Sequence, residues 1–350
     1  MNIDIADRLK PFSHTPGHEA IIPGTTWKAK VFPTALLLED VQSNQKKELF
    51  WDLKGPMKDF TVEEDLEGKS LRIHGQSLFG YFRLVLRKEG TSLVLNFEKT
   101  PAQGIAASGL VETVFQRGDV LSLEKDLEIC KPLSKERLFL GVSKQKEWGS
   151  IRKRRDLKEI LPLWHRSGLI APCKEIKNKW ACLLKQAITK KQSEEASDLL
   201  LQTYLAHFSE GLVPRKRDEE FQGIGFLEEQ ISSAYHLLAE GSFLIRSLFF
   251  QETEESISIL PCLPREFVSG KMIHIQAKNG STFHLEWTKH KLRRMCIKSM
   301  DSSSLKLCFP KEIQSYRKKT SLKDPGKILG RDDLIEVSKG ETVWLDLFQK

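Results

Sequence analysis

Two carboxyl groups placed across a reacting bond can carry out hydrolysis unaided. One, protonated, donates to the leaving oxygen, and the other, ionised, takes a proton from the attacking water. The segment Pro214-Arg215-Lys216-Arg217-Asp218-Glu219-Glu220-Phe221-Gln222-Gly223 places three acids beside cations and an aromatic ring. Asp218, Glu219 and Glu220 are therefore candidate acids or bases, although acids leading into a helix also serve simply to favour its positive end. Glu240, followed by Gly241 on an apolar stretch, is a fourth candidate. A carboxyl buried there needs a partner, and Arg246 or His236 could supply one. Arg215 and His236 are candidate binding residues beside these acids. Trp148, in Lys146-Glu147-Trp148-Gly149, and Trp164, next to His165, are candidate stacking rings. An indole near cations suits the CH face of a sugar or the face of a base, and it equally suits a core anchor.

The histidine pairs argue against a metal. His14 and His18 flank Pro16, which opposes the helix that would bring both to one ion, and His284 and His290 straddle a turn. There is no HExxH, no phosphate-binding loop and no GxGxxG, so neither a metal nor a cofactor is expected. Six cysteines (Cys130, Cys173, Cys182, Cys262, Cys296 and Cys308) occur without a CxxC pair, which reads as reduced core thiols in a cytoplasmic protein. The N-terminal ten residues carry Asp4, Asp7, Arg8 and Lys10 where a secretion signal would be apolar. No apolar run approaches the roughly 18 residues of a membrane span.

The elements that must position these groups fall into three regions. From about Ile21 to Leu140 short β-branched and aromatic runs (Val31 to Leu38, Ser70 to His74, Tyr81 to Arg87, Ser92 to Phe97, Val111 to Phe115, Val120 to Leu123) alternate with turns such as Glu89-Gly90, predicting an antiparallel sandwich. The middle is helical. A helix over Asp156 to Gly168 is interrupted at Pro162, a second covers Lys174 to Lys191, and a third starts at Ser193 and ends toward Gly211 as its cap. A long one spans about Phe226 to Phe250, with Gly241 as a break. From Ile257 the period returns to two, and Lys278-Asn279-Gly280-Ser281 between alternating runs marks a hairpin. The expected fold is α+β and multi-domain: an N-terminal antiparallel β-sandwich (1–140), a linker and helical domain (141–255) and a small C-terminal β-sandwich (256–350).

Charge is unevenly spread over these regions. The net charge is +8 overall, and residues 256 to 350 hold 18 basic against 10 acidic side chains. The block from Lys144 to Gln192 holds 14 against 4. Such a block could attract nucleic-acid phosphates, with affinity falling steeply as salt rises. No reading motif accompanies it, so nucleic acid ranks last among the expected partners.

The C-terminal region carries a resemblance. Ser258-Ile259-Leu260-Pro261-Cys262-Leu263-Pro264, then Ser269-Gly270-Lys271, Phe283-His284-Leu285-Glu286-Trp287, Lys291-Leu292 and Ile297-Lys298-Ser299 are similar, in order, to the C-terminal sandwich of inverting alpha-L-fucosidase-type glycoside hydrolases of the six-hairpin superfamily. That resemblance implies a β super-sandwich leading into an (α/α)6 barrel that holds the active site. It also implies a glycan or oligosaccharide ligand, cleaved by two carboxylates about 6.5 to 9.5 Å apart without a cofactor. The helical middle spans only about 110 residues, whereas twelve helices of about 11 to 12 residues with connections need about 200. It therefore resembles a barrel shortened to four or five helices. Where the family reads Asp-Gly-Asn-Phe-Gly, an ungapped count back from Leu260-Pro261 finds His236-Leu237-Leu238-Ala239-Glu240, without the Asp or the Asn. The alternatives are thus an active glycoside hydrolase or a catalytically degenerate carbohydrate-binding or protein-interaction scaffold. A homo-oligomer that covers apolar helix faces left open by the short barrel is also expected.

Overall fold

A computed structural model describes residues 3–127, 134–170, 179–215, 234–321 and 323–349. The first part holds twelve strands: β1 (Phe12–Ser13), β2 (His18–Ile21), β3 (Trp27–Phe32), β4 (Ala35–Asp40), β5 (Lys46–Trp51), β6 (Lys58–Asp65), β7 (Ser70–Ser77), β8 (Gly80–Glu89), β9 (Ser92–Lys99), β10 (Ile105–Gly109), β11 (Thr113–Phe115) and β12 (Val120–Glu124). They form two six-stranded sheets, ordered β1-β6-β7-β8-β9-β12 and β11-β10-β5-β4-β3-β2, with every pair antiparallel. Strict alternation drives the pairing of the sheets. Trp27, Ala29 and Val31 on β3, Leu36 and Leu38 on β4, and Leu84 and Leu86 on β8 point inward into one shared core. The run Val31 to Leu38, expected as one strand, is the turn of a hairpin. Pro33 has no N–H to give to a ladder, and the chain reverses over Pro33-Thr34 between Phe32 and its partner Ala35.

β13 (Arg137–Phe139) lies within the first 140 residues, yet it pairs with a strand of the C-terminal sheet. Five helices follow among the described residues: α1 (Trp148–Arg154), α2 (Leu157–Ile170), α3 (Lys179–Thr189), α4 (Ser193–His207) and α5 (Ala234–Phe249). The Glu147 carboxylate accepts the Gly149 and Ser150 N–H groups at the start of α1 (3.2 and 2.9 Å), and Arg152, Lys153 and Arg154 sit at its negative end. Two expected breaks are absent. α2 runs through Pro162, and α5 runs through Gly241. Gly241 is there for close approach, because a Cβ on it would lie 2.4 Å from the Trp164 ring, and one on Gly168 would lie 2.2 Å from the Leu238 carbonyl oxygen. α2 and α5 therefore approach closely at two points, the backbone of Gly241 against the Trp164 ring and the backbone of Gly168 against that of Leu238. A Gly168→Ala variant should lose about 2 kcal/mol, since overpacking against a backbone atom outweighs the helix propensity gained. A lower urea midpoint with unchanged slope is the expected readout, and an unchanged midpoint would contradict it.

α4 ends at His207, not toward Gly211. Phe208 is extended and bridges to Pro214, closing a short loop. Gly211 has its own reason, since a Cβ there would lie 2.4 Å from the Glu19 carbonyl oxygen. It lets the loop after α4 press onto β2.

The C-terminal part comprises β14 (Phe250–Glu252), β15 (Ile257–Ile259), β16 (Ser269–Gln276), β17 (Thr282–Thr288), β18 (Lys291–Lys298), β19 (Ser303–Leu305), β20 (Leu307–Cys308), β21 (Ser315–Lys319), β22 (Lys327–Gly330), β23 (Ile335–Val337) and β24 (Thr342–Gln349). Its main sheet is ordered β13-β16-β17-β18-β24-β21-β22, and β14-β15-β20 and β19-β23 form two smaller ones. The expected hairpin joins β16 to β17. Its loop is Lys278-Asn279-Gly280, with Gly280 at φ +79° and its N–H on the Ala277 carbonyl. Trp287 is fully buried and lies across Gly270, where a Cβ would fall 2.2 Å from the ring. Its Nε1 donates to the Phe267 carbonyl (2.9 Å), and Phe249 of α5 stacks on it at 5.2 Å. The Leu260 and Cys262 N–H groups reach the Phe249 and Leu248 carbonyls (2.8 and 3.3 Å), so the Leu-Pro segment closes the end of α5. Helices and C-terminal sandwich thus share one continuous apolar core, whereas the N-terminal sandwich keeps its own. Cys262 is buried, but Cys182 and Cys308 are exposed rather than core thiols; Cys130 and Cys173 lie outside the described residues. Among the described residues no helix is long and apolar enough to cross a membrane.

Candidate functional site at the junction of sandwich and helices

Asp218, Glu219 and Glu220 lie outside the described residues. Glu240 sits on α5, half-buried, and burial pushes its carboxyl up to about 7. Among the described residues no cation pairs with it. Arg246, expected as its partner, instead reaches the Glu136 carboxylate (3.3 Å) and the Gln276 carbonyl (2.7 Å). His236 belongs to α5, and its side chain lies outside the described part. Arg215 is buried and donates to the Phe208 carbonyl at 2.6 Å, which fixes the loop after α4. A carboxyl poised near neutrality can both give and take a proton, which makes Glu240 the described candidate with the most suitable acidity.

The two tryptophans expected to stack on a ligand are buried to 1% and 0% exposure, so neither ring presents a face to solvent. Trp164 meets Phe208 edge-on at 4.9 Å and Gly241 on α5. Trp148 donates its Nε1 hydrogen to Glu64 Oε1 at 2.7 Å. That bond opens a cluster the sequence reading missed. His18 of β2 lies with Nε2 3.8 Å from Glu64 Oε1 and Nδ1 3.6 Å from Glu210 Oε2, the latter from the loop after α4. Burial opposes charge on the His18 ring, but Glu210 and Glu64 together outweigh it and push the imidazole up to about 9. Burial also raises the Glu64 carboxyl, against the pull of His18 and Trp148. A sequence signal for the cluster existed. His18 starts the inward series His18, Ala20, Ile22, and Glu64 ends the inward series Phe60, Val62, Glu64.

Glu64 also lines a small cavity with Ile21, Thr25, Ser167, Leu212 and Leu238, of about 20 Å³. That is room for one water and not for a sugar ring. The cluster therefore joins the sandwich to the helices and holds protons there.

A second buried polar group sits deeper. Ser242 Oγ is 3.0 Å from His165 Nδ1, and His165 Nε2 is 3.1 Å from Glu136 Oε1. The order Ser, His, Glu imitates a nucleophile with its base, but all three residues are buried and Ser242 Oγ also lies 2.9 Å from the His165 carbonyl as a donor. It ties α2, α5 and the strand before α1 together. Much of the basic block is likewise engaged: Lys144, Arg154 and Lys158 pair with Asp156 or Glu159, Lys146 pairs with Asp7, and Arg166 donates to the Ser134 carbonyl. Among the described residues no group of three or more His, Cys, Asp or Glu side chains could hold a metal ion.

The decisive comparison concerns the C-terminal sandwich. Residues 251–342 match glycoside hydrolase family 95, C-terminal domain. The segments quoted for the resemblance, from Ser258 to Ser299, all fall inside the match. In the family 95-like region the paired motifs have a physical link, since the glycine of Ser269-Gly270 makes room for the tryptophan of Glu286-Trp287. No curated protein matches the chain.

Proposed function

We propose that this chain acts on or binds a glycan as a relative of glycoside hydrolases, with a helical domain shortened from the (α/α) barrel type. The observation that carries this reading is the placement of Glu240. Its half-buried carboxyl, raised to about 7, lies on α5 a short distance before the family 95-like sandwich. The reaction would be two-carboxylate hydrolysis, with Glu240 as the proton donor and its companion among Asp218, Glu219 and Glu220. A second reading, a scaffold without turnover that binds carbohydrate or protein, is favoured by the helical middle of about 110 residues, too short for twelve helices.

One panel separates the two. Aryl glycosides and natural oligosaccharides are assayed for release of product, and the same oligosaccharides are tested for thermal stabilisation of the full chain. Release supports the hydrolase, and a rise in melting temperature without release supports the scaffold. Neither release nor stabilisation across the panel would overturn the glycan reading.

A further inference from the structure

A larger opening lies at the end of the N-terminal sandwich, between its two sheets, with a volume of about 240 Å³. It arises because the inward-facing rows stop being apolar there. On β4 the series Leu36, Leu38 continues to Asp40; on β5 Lys47 precedes Leu49; on β8 the series Leu84, Leu86 continues to Lys88. Asp40 is the cross-strand partner of Trp27, which closes the floor. The sides are Gln42 and Gln45 from the loop between β4 and β5, and Glu124 to Leu127 after β12.

These walls are held in place. Asp40 Oδ2 accepts from the Ser43 hydroxyl (2.6 Å) and N–H (3.2 Å), which fixes the loop that carries Gln42 and Gln45. Lys47 Nζ lies 2.6 Å from Glu124 Oε2 and 5.6 Å from the centre of the Trp27 ring, tying β5 to β12 across the opening. The lining carries Asp40, Glu124 and Asp126 against Lys88 and Lys125, and Lys47 beside it pairs with Glu124, so the charges there balance. A polyanion or a polycation gains nothing from such a lining. A neutral ligand rich in hydroxyls does, because each hydroxyl both donates and accepts, and carboxylates, ammonium groups and the two amides offer both roles. The volume lies just below the roughly 300 to 1,000 Å³ of drug-sized pockets, which suits a single ring.

We propose that this sandwich-end cleft binds one neutral sugar residue through Asp40, Gln42, Gln45 and Lys88, as a glycan subsite apart from Glu240. The inference rests on the glycan reading above and extends it to the N-terminal sandwich. It would anchor one unit of an oligosaccharide on a part of the chain that does no chemistry.

Calorimetric titration of the full chain with D-glucose, D-galactose and L-fucose tests it, with inorganic phosphate as a charged control. The variants are Gln42→Ala/Gln45→Ala and Lys88→Met. Both glutamines are exposed, so their truncation leaves the fold intact. At least one sugar should bind, with affinity lowered about tenfold or more in each cleft variant, equivalent to about 1.4 kcal/mol. Sugar binding that survives both cleft variants overturns the cleft and leaves the glycan reading standing. Phosphate that competes with the sugar overturns the choice of a neutral ligand. Absence of binding by all three sugars, while oligosaccharides are still cleaved or still stabilise the chain, overturns the subsite alone. Absence of every saccharide effect overturns both.

Discussion

A Glu240→Gln variant is expected to lower kcat/KM on an unactivated oligosaccharide by about 10²- to 10⁴-fold, the usual worth of a positioned general acid. The size depends on the leaving group. An aryl glycoside whose phenol leaves readily needs little protonation, so its turnover should fall much less. The pH profile gives the sign. The carboxyl must be protonated to donate, and burial holds its pKa at about 7, so wild-type activity should decline as pH rises through 7. That alkaline limb should be absent in the variant. Stability offers a readout independent of turnover. A carboxyl raised from its ordinary value favours the folded state when protonated, and that advantage is lost as pH rises from about 4.5 through 7. Glu240→Gln should therefore melt above the wild type at pH 8 and level with it near pH 4. A variant with unchanged oligosaccharide turnover would remove Glu240 from the chemistry, and identical melting at pH 8 would contradict its burial cost.

The elements were legible where a local signal was strong. The Asn279-Gly280 hairpin was readable because Gly280 has to adopt a left-handed conformation. The N-terminal sandwich is readable because alternation and turns recur along it, although the apolar run Val31 to Leu38 conceals the hairpin turn at Pro33-Thr34. Two glycines carry a meaning that the sequence does not show. Gly241 and Gly211 read as a helix break and a helix cap, yet each marks a tertiary contact, with Trp164 and with the Glu19 carbonyl. Sequence alone supplies no partner for a close approach, so the local reading of glycine prevailed. The same limit applied to the polar residues. Glu240 stands out in the sequence because it sits beside a glycine on an apolar stretch. His18, Glu64 and Glu210 belong to three distant segments, and only folding brings them together. Trp148 and Trp164 matched both a core anchor and a ligand platform in composition, and their burial decides for the core in this structure.

Removing the Glu64 carboxylate should be among the most destabilising single changes in the chain. In Glu64→Leu the Trp148 Nε1 hydrogen loses its acceptor, and the buried His18 ring keeps only Glu210, at 3.6 Å and from a partly exposed side chain. Breaking a buried pair by deleting one partner costs about 3 to 5 kcal/mol. The pH dependence follows from the direction of the shifts. His18 is pushed up to about 9 in the folded chain, above the ordinary 6.5. The stabilisation from its charge is fully present below pH 6.5 and is lost as pH rises through 9. A difference of this size corresponds to about 3 kcal/mol. The raised Glu64 carboxyl acts in the same direction at lower pH, because its proton too is held more tightly in the folded chain. Urea midpoints of the wild type should therefore fall between pH 6.5 and 9, and His18→Gln should abolish most of that slope. In Glu64→Gln the slope should shrink without vanishing, since Glu210 still faces the ring. A wild-type midpoint that stays level across this range would show that His18 is neutral in the folded chain. A slope retained in His18→Gln would assign the proton to another group.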